Sequence, residues 1–186
     1  MPDIIKILPT EVSNKIAAGE VVQRPSSVLK ELLENSIDAN SSKIKIVIKN
    51  AGKNLIQVID DGQGMSRNDM YKSFVKHATS KINKVDDIFS INSMGFRGEA
   101  LAAIASVSMI EMSSSKLNEN DGYFIELNGG KIISEKELIG NKGTSIKVQN
   151  LFYNVPARRN FLKSDFVELK HIINVINNIA LSHNEI

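Results

Sequence analysis

Lys43-Ile-Lys-Ile-Val-Ile-Lys49 is followed by Asn50-Ala-Gly-Lys-Asn54, and then by Leu55-Ile-Gln-Val-Ile-Asp60 and Asp61-Gly-Gln-Gly64. The first run alternates, with Ile44, Ile46 and Ile48 on one side, which predicts a half-buried strand. The polar, glycine-bearing turn is short, so the second run pairs with the first as an antiparallel hairpin. That hairpin ends in an acid followed by glycines.

Upstream, residues 10–22 predict a helix, with Thr10 as a cap after Pro9 and Gly19 near its end. Residues 26–39 predict a better-defined helix capped by Ser26, whose Val28, Leu29, Leu32, Leu33 and Ile37 form a broad apolar face. Downstream, a helix starts after Ser66 with Asp69 in its first turn and is expected over 66–81. Residues 82–97 are polar and read as a loop, and a helix runs from about Gly98 to Ala105. Strands are expected near 107–113, 122–127, 131–135 and 143–150, with Asn128-Gly-Gly130 as a hairpin turn. Phe152-Tyr-Asn-Val-Pro156 reads as a turn. A long helix then begins at Ser164 or Asp165, with Phe166, Leu169, Ile172, Ile173, Ile176 and Ile179 expected inside. Helices, hairpins and meanders in this order predict an α+β two-layer sandwich, its sheet mixed but mostly antiparallel and its helices on one face.

The chain has 186 residues, of which 42% are hydrophobic, enough for one domain with a sizeable core. Cysteine is absent, which excludes disulfides, thiolate chemistry and cysteine-built zinc sites. The net charge of +2 permits contact with nucleic acid without arguing for it, because both signs are interspersed. His77, His171 and His183 show no metal-ligand spacing. No apolar run is long enough to span a bilayer and no secretory signal opens the chain, so a cytoplasmic location is expected.

Three short segments carry candidate chemistry. On the 26–39 helix, Glu31, Asn35 and Asp38 share a face opposite the leucines. Such a face is commonly just solvated. Asparagine, however, is a poor mid-helix residue, and an amide oxygen suits Mg²⁺, which keeps phosphates and waters as its other ligands. Glu31, one turn earlier, is placed to deprotonate a water. Asp60 closes an apolar strand, where its carboxylate can accept from an exocyclic amine, while Gly62 and Gly64 let backbone pass close to a flat base. The plain alternative is a strand-ending turn. Gly95-Phe-Arg-Gly98 precedes a helix opening near Glu99, an arrangement able to cradle an anion. The alternative there is a surface loop. Thr144, next to Gly143, is either an ordinary strand residue or a support for the base beside Asp60. No P-loop or dinucleotide fingerprint is present, so neither of those nucleotide sites applies.

These segments, with Ile16-Ala-Ala-Gly-Glu-Val-Val-Gln-Arg-Pro25, His77-Ala-Thr-Ser-Lys81 and Leu151-Phe-Tyr-Asn-Val-Pro-Ala-Arg-Arg159, resemble the N-terminal ATPase region of the MutL family of DNA mismatch-repair proteins. That family lies in the wider class of gyrase, the heat-shock chaperone, histidine kinases and MutL. The resemblance implies a Bergerat-type ATP-binding fold over residues 1–186, with ATP and Mg²⁺ as cofactors. It implies Glu31 as general base, Asn35 as Mg²⁺ ligand, Asp60 as acceptor for the adenine amine, Gly64 lining the base and Thr144 supporting it. Ala39, Lys81, Gly95, Phe96, Arg97, Gly98 and Glu99 match sugar, phosphate and lid contacts. Asp61 and Asn160 depart from the family, which usually has Asn and Lys or Arg there. The resemblance further implies a second domain supplying a lysine to the γ-phosphate, a C-terminal dimerisation domain, an ATP-dependent homodimer, and MutS and DNA as partners, with no membrane. A topoisomerase ATPase domain, a nucleotide-gated scaffold without turnover and a histidine kinase are the rival readings. Glu31 separates a hydrolase from a scaffold.

Overall fold

A computed structural model provides the structure of the protein and describes residues 9–76, 78, 98–116, 121–140 and 142–186. The chain runs α1 (Thr10–Val21), α2 (Pro25–Asp38), β1 (Ile44–Lys49), a 3-10 turn (Asn50–Gly52), β2 (Leu55–Asp60), α3 (Arg67–Ser73) and α4 (Ala100–Ser106). It continues through β3 (Met109–Ser115), β4 (Asp121–Asn128), β5 (Lys131–Ile139), β6 (Gly143–Gln149), α5 (Pro156–Phe161) and α6 (Asp165–Ser182).

The hairpin forms as expected, with Ile46 opposite Val58 and Ile48 opposite Ile56. The strands make one six-stranded sheet in the order β1-β2-β6-β3-β4-β5. Every neighbouring pair is antiparallel. β6, last in the chain, lies between β2 and β3. One alternate set of strand residues, including Ile56, Val58, Ile110, Met112, Leu127, Ile146 and Val148, is buried with Val28, Leu29, Leu32 and Leu33 of α2. The β4–β5 turn has φ +57° at Gly129 and +83° at Gly130, the double positive φ that a tight hairpin of this twist requires.

Several local expectations are corrected. Neither Thr10 nor Ser26 is a cap: Thr10 is already inside α1, and α2 starts with Pro25 at its first turn after Arg24. Proline fits there because its missing N–H would have no helical partner. Ser66 does cap α3, accepting from Asp69 N. That helix ends at Ser73, far short of Ser80 and Lys81, which lie outside the described residues together with His77 and the segment 82–97. β5 extends to Ile139, four residues past its expected end, because the β4 ladder continues to Asp121. A short helix, α5, follows the turn expected over Phe152–Pro156, in a stretch for which no element is predicted.

The largest correction concerns α6. Ile172 is buried and Ile176 and Ile179 are half-buried, but Phe166, Leu169 and Ile173 are 81%, 42% and 46% exposed. α6 packs on α2 and the 3-10 turn along one stripe only. Its start is clipped down by Lys53, whose Nζ donates to Lys163 O at 2.7 Å and pairs with Asp165 at 2.8 Å.

Candidate nucleotide site

The site is organised by Asp60, the last residue of β2 and 8% exposed. Strand pairing sets Asp60 opposite Thr144 of β6. Asp60 Oδ1 accepts from Gly62 N at 3.0 Å and from Thr144 N at 3.2 Å, and Oδ2 accepts from Ser36 Oγ at 2.9 Å. Burial pushes this carboxyl above the usual carboxylate range. The bonds from Gly62, Ser36 and Thr144 pull the other way and do not fully offset it.

Glycines allow the surrounding backbone to close. A Cβ on Gly143, at φ +109°, would lie 2.0 Å from Asp60 O, and one on Gly64, at φ +68°, would lie 1.9 Å from Ser115 O. Gly62 lies against the end of α2, where a Cβ would meet that of Ala39 at 2.8 Å. Gln63 N donates to Ala39 O at 2.9 Å, which ties the glycine loop to the helix carrying Glu31 and Asn35. Glu31 and Asn35 lie one turn apart on α2, both half-buried. At the other end, Gly98 (φ +61°) precedes α4, and its Cα faces Ala78, whose carbonyl oxygen a Cβ would meet at 2.4 Å. Ala78 and Gly98, one residue from each of the His77–Lys81 and Gly95–Glu99 motifs, thus lie against one another. Lys81, Gly95, Phe96 and Arg97 themselves lie outside the described residues.

Three serines belong to this constellation and were missed from sequence. The single Ser36 hydroxyl proton has Asp60 Oδ2 at 2.9 Å and Leu32 O at 3.1 Å within its reach, and Ser41 Oγ donates to Ser36 O at 2.6 Å. Ser114 touches Thr144, Gly143 and Met65. A signal existed for two of them. Ser36 continues the apolar stripe of Leu29, Leu32 and Leu33, and Ser114 continues the buried alternation of Ile110 and Met112. A small polar residue on a buried face needs a hydrogen-bond partner. Asp61, by contrast, turns away from the site. Its carboxylate accepts from Ser42 N, Ser42 Oγ and Lys43 N at 2.8, 2.6 and 2.9 Å, which holds its pKa at about 2. The family departure at this position thus sits just after β2 and ties down the α2–β1 loop.

Among the described residues no group of three or more His, Cys, Asp or Glu can hold a metal ion. A single amide oxygen, from Asn35, suits Mg²⁺ brought in on a triphosphate. No helix among the described residues is long and apolar enough to cross a membrane.

An acid-ended hairpin, glycine loops and a helix bearing Glu and Asn define a nucleotide-binding sandwich without a P-loop. Residues 23–154 match the family model described as histidine kinase-, DNA gyrase B- and HSP90-like ATPase, and the chain belongs to that ATPase family. Within it, the chain is an ATPase domain of the MutL type. It is 57% identical over 183 residues to the DNA mismatch repair protein MutL of Christiangramia forsetii, matching 98% of this chain and 30% of that protein. It is 55% identical over 186 residues to MutL of Flavobacterium psychrophilum, matching all of this chain and again 30% of the relative. The chain thus spans under a third of the length of these relatives. Among solved structures, an Aquifex aeolicus MutL ATPase domain complexed with ADP superposes with a TM-score of 0.69 at 31% identity, over 89% of this chain and 58% of that one. The N-terminal domain of a DNA repair protein gives 0.77 at 28% identity, over 93% and 50%.

Proposed function

We propose that this domain binds Mg-ATP between α2, the glycine loop and the start of α4, and hydrolyses it as the switch of a mismatch-repair protein. The observation that carries this reading is the buried Asp60 carboxylate, held by three donors at the mouth of a glycine-lined turn. An acid kept out of water and fixed in place is suited to receiving an exocyclic amine. Asp60 reads the adenine, Gly64 passes over its face and Thr144 supports it. Asn35 holds Mg²⁺, whose charge offsets that of the phosphates. Glu31, one turn away on the same face, orients and deprotonates the attacking water. Ala39, Lys81 and the backbone from Gly95 to Glu99 contact sugar and phosphates. Closure of that segment, pairing of two N-terminal regions, and contacts with MutS and DNA follow from the relatives' role in mismatch repair, and belong to the same proposal. So does a γ-phosphate lysine supplied from outside residues 1–186, which makes this domain a weak hydrolase by itself.

The test separates binding from turnover. Glu31→Ala should bind a non-hydrolysable ATP analogue like the parent while losing roughly 10²–10⁴ in turnover. Asn35→Ala should instead lose Mg²⁺-dependent affinity. Unchanged turnover in Glu31→Ala would remove Glu31 as the general base, whereas a parent that binds the analogue without turning ATP over would leave a nucleotide-gated scaffold.

A further inference from the structure

Asp60, Thr144 and Ser114 stand directly opposite one another on β2, β6 and β3. They form one cross-strand row on the helix-covered face, with 8%, 8% and 2% of each residue exposed. Ser114 Oγ lies 2.8 Å from Thr144 Oγ1, 3.1 Å from Gly143 O and 2.9 Å from Met65 N.

A hydroxyl has one proton and two lone pairs. Gly143 O only accepts, so it takes the Ser114 proton. Met65 N–H only donates, so it takes one Ser114 lone pair. The remaining lone pair receives the Thr144 proton. No other assignment satisfies all three contacts, and an unmade bond at this depth is costly. Thr144 then offers only lone pairs to anything approaching from the site. The Asp60 carboxylate beside it also only accepts. Where both acceptors face the 6-substituent of a purine, they favour an amine, which can donate to each, over a keto oxygen, which can donate to neither.

We infer that Ser114 is a specificity-determining residue: by taking up the Thr144 proton, it makes the site select 6-aminopurine over 6-ketopurine nucleotides. This rests on the nucleotide reading above. Ser114 does not touch the base. It acts through Thr144, and separately pins the glycine loop through Met65.

The experiment titrates the whole chain with the β,γ-imido triphosphates of adenosine and inosine, with Mg²⁺. The parent should prefer the adenosine compound by about tenfold or more, the order of one hydrogen bond made against one refused. In Ser114→Ala, Thr144 is free to turn its proton toward the base. Adenosine affinity should fall, inosine affinity should hold or rise, and the ratio should shrink at least about fivefold. A role confined to anchoring Met65 would lower both affinities by one factor, and that result overturns the inference. So does a parent that binds both compounds equally. If Ser114→Ala does not fold, Thr144→Val provides the second reading. It deletes the acceptor, so adenosine should lose affinity and inosine should not, and equal losses overturn the proposal. A parent that binds neither compound overturns the nucleotide reading itself, whereas binding without selection overturns this inference alone.

Discussion

Asp60 and Asp61 are adjacent in the chain and electrostatically opposite. Burial raises the Asp60 carboxyl, whereas bonds from Ser42 and Lys43 hold Asp61 at about 2. A raised folded-state pKa means that ionised Asp60 opposes folding, and its contribution worsens as pH rises through that value. Asp60→Asn is therefore expected to leave the nucleotide-free protein as stable as the parent or more stable. It should weaken ATP binding by about 1.5–3 kcal/mol, the range for a hydrogen bond to a charged group. Thermal melts and an analogue titration on the same preparation check both halves. For Asp61 the sign reverses. Its stabilisation is present above the unfolded carboxylate value of about 3.9 and is lost as pH falls from there toward 2. Asp61→Ala should flatten the loss of stability between about pH 4 and pH 2 in denaturant titrations. The sequence order Asp-Asp-Gly marked an acid worth noticing at Asp60. It held no sign that its neighbour serves a loop, because that depends on where Ser42 and Lys43 return in space.

At the scale of elements, the strands were legible and the packing of the last helix was not. Alternation marks one face of a strand directly, and Ile44, Ile46, Ile56 and Val58 all obey it. α6 is apolar on more than one side, so periodicity could not say which stripe meets α2. Phe166 and Ile173 were assigned inward on hydrophobicity alone. Phe166→Ser should accordingly change stability by no more than about 0.5 kcal/mol. Ile172→Ala, at a residue only 1% exposed, should cost about 2–5 kcal/mol. Chemical denaturation of the two variants decides whether this assignment of faces is right. Gly143 is the other element-scale test. At φ +109°, with Asp60 O in the place of a Cβ, Gly143→Ala must strain β6 or push it off β2. About 2–3 kcal/mol of destabilisation follows from strain of this kind. Analogue affinity should fall with it, because Thr144 N would leave Asp60. The serines around Asp60 escaped notice for a related reason: a serine on a buried face signals a partner without naming it.

For the whole molecule, the candidate site gathers residues from α2, β2, β3 and β6, so nucleotide binding should report on the entire fold. Saturation at a hundred times Kd is expected to add about 2.7 kcal/mol to unfolding, visible as a concentration-dependent shift in Tm. A site that persisted in the unfolded chain would bind without shifting the global transition, and a calorimetric scan distinguishes the two. The position of β6 has a further consequence in time. β1–β2 and β3–β4–β5 are local hairpins, yet they share no ladder until β6 slides between β2 and β3. Its contacts span long stretches of sequence and are slow to form. A nascent chain that has not yet presented Gly143–Gln149 is two unjoined ribbons, with Asp60 and Ser114 both lacking Thr144. The ribosome must therefore release almost all of this domain before any nucleotide can be held, and ATP becomes a ligand of the finished sheet alone.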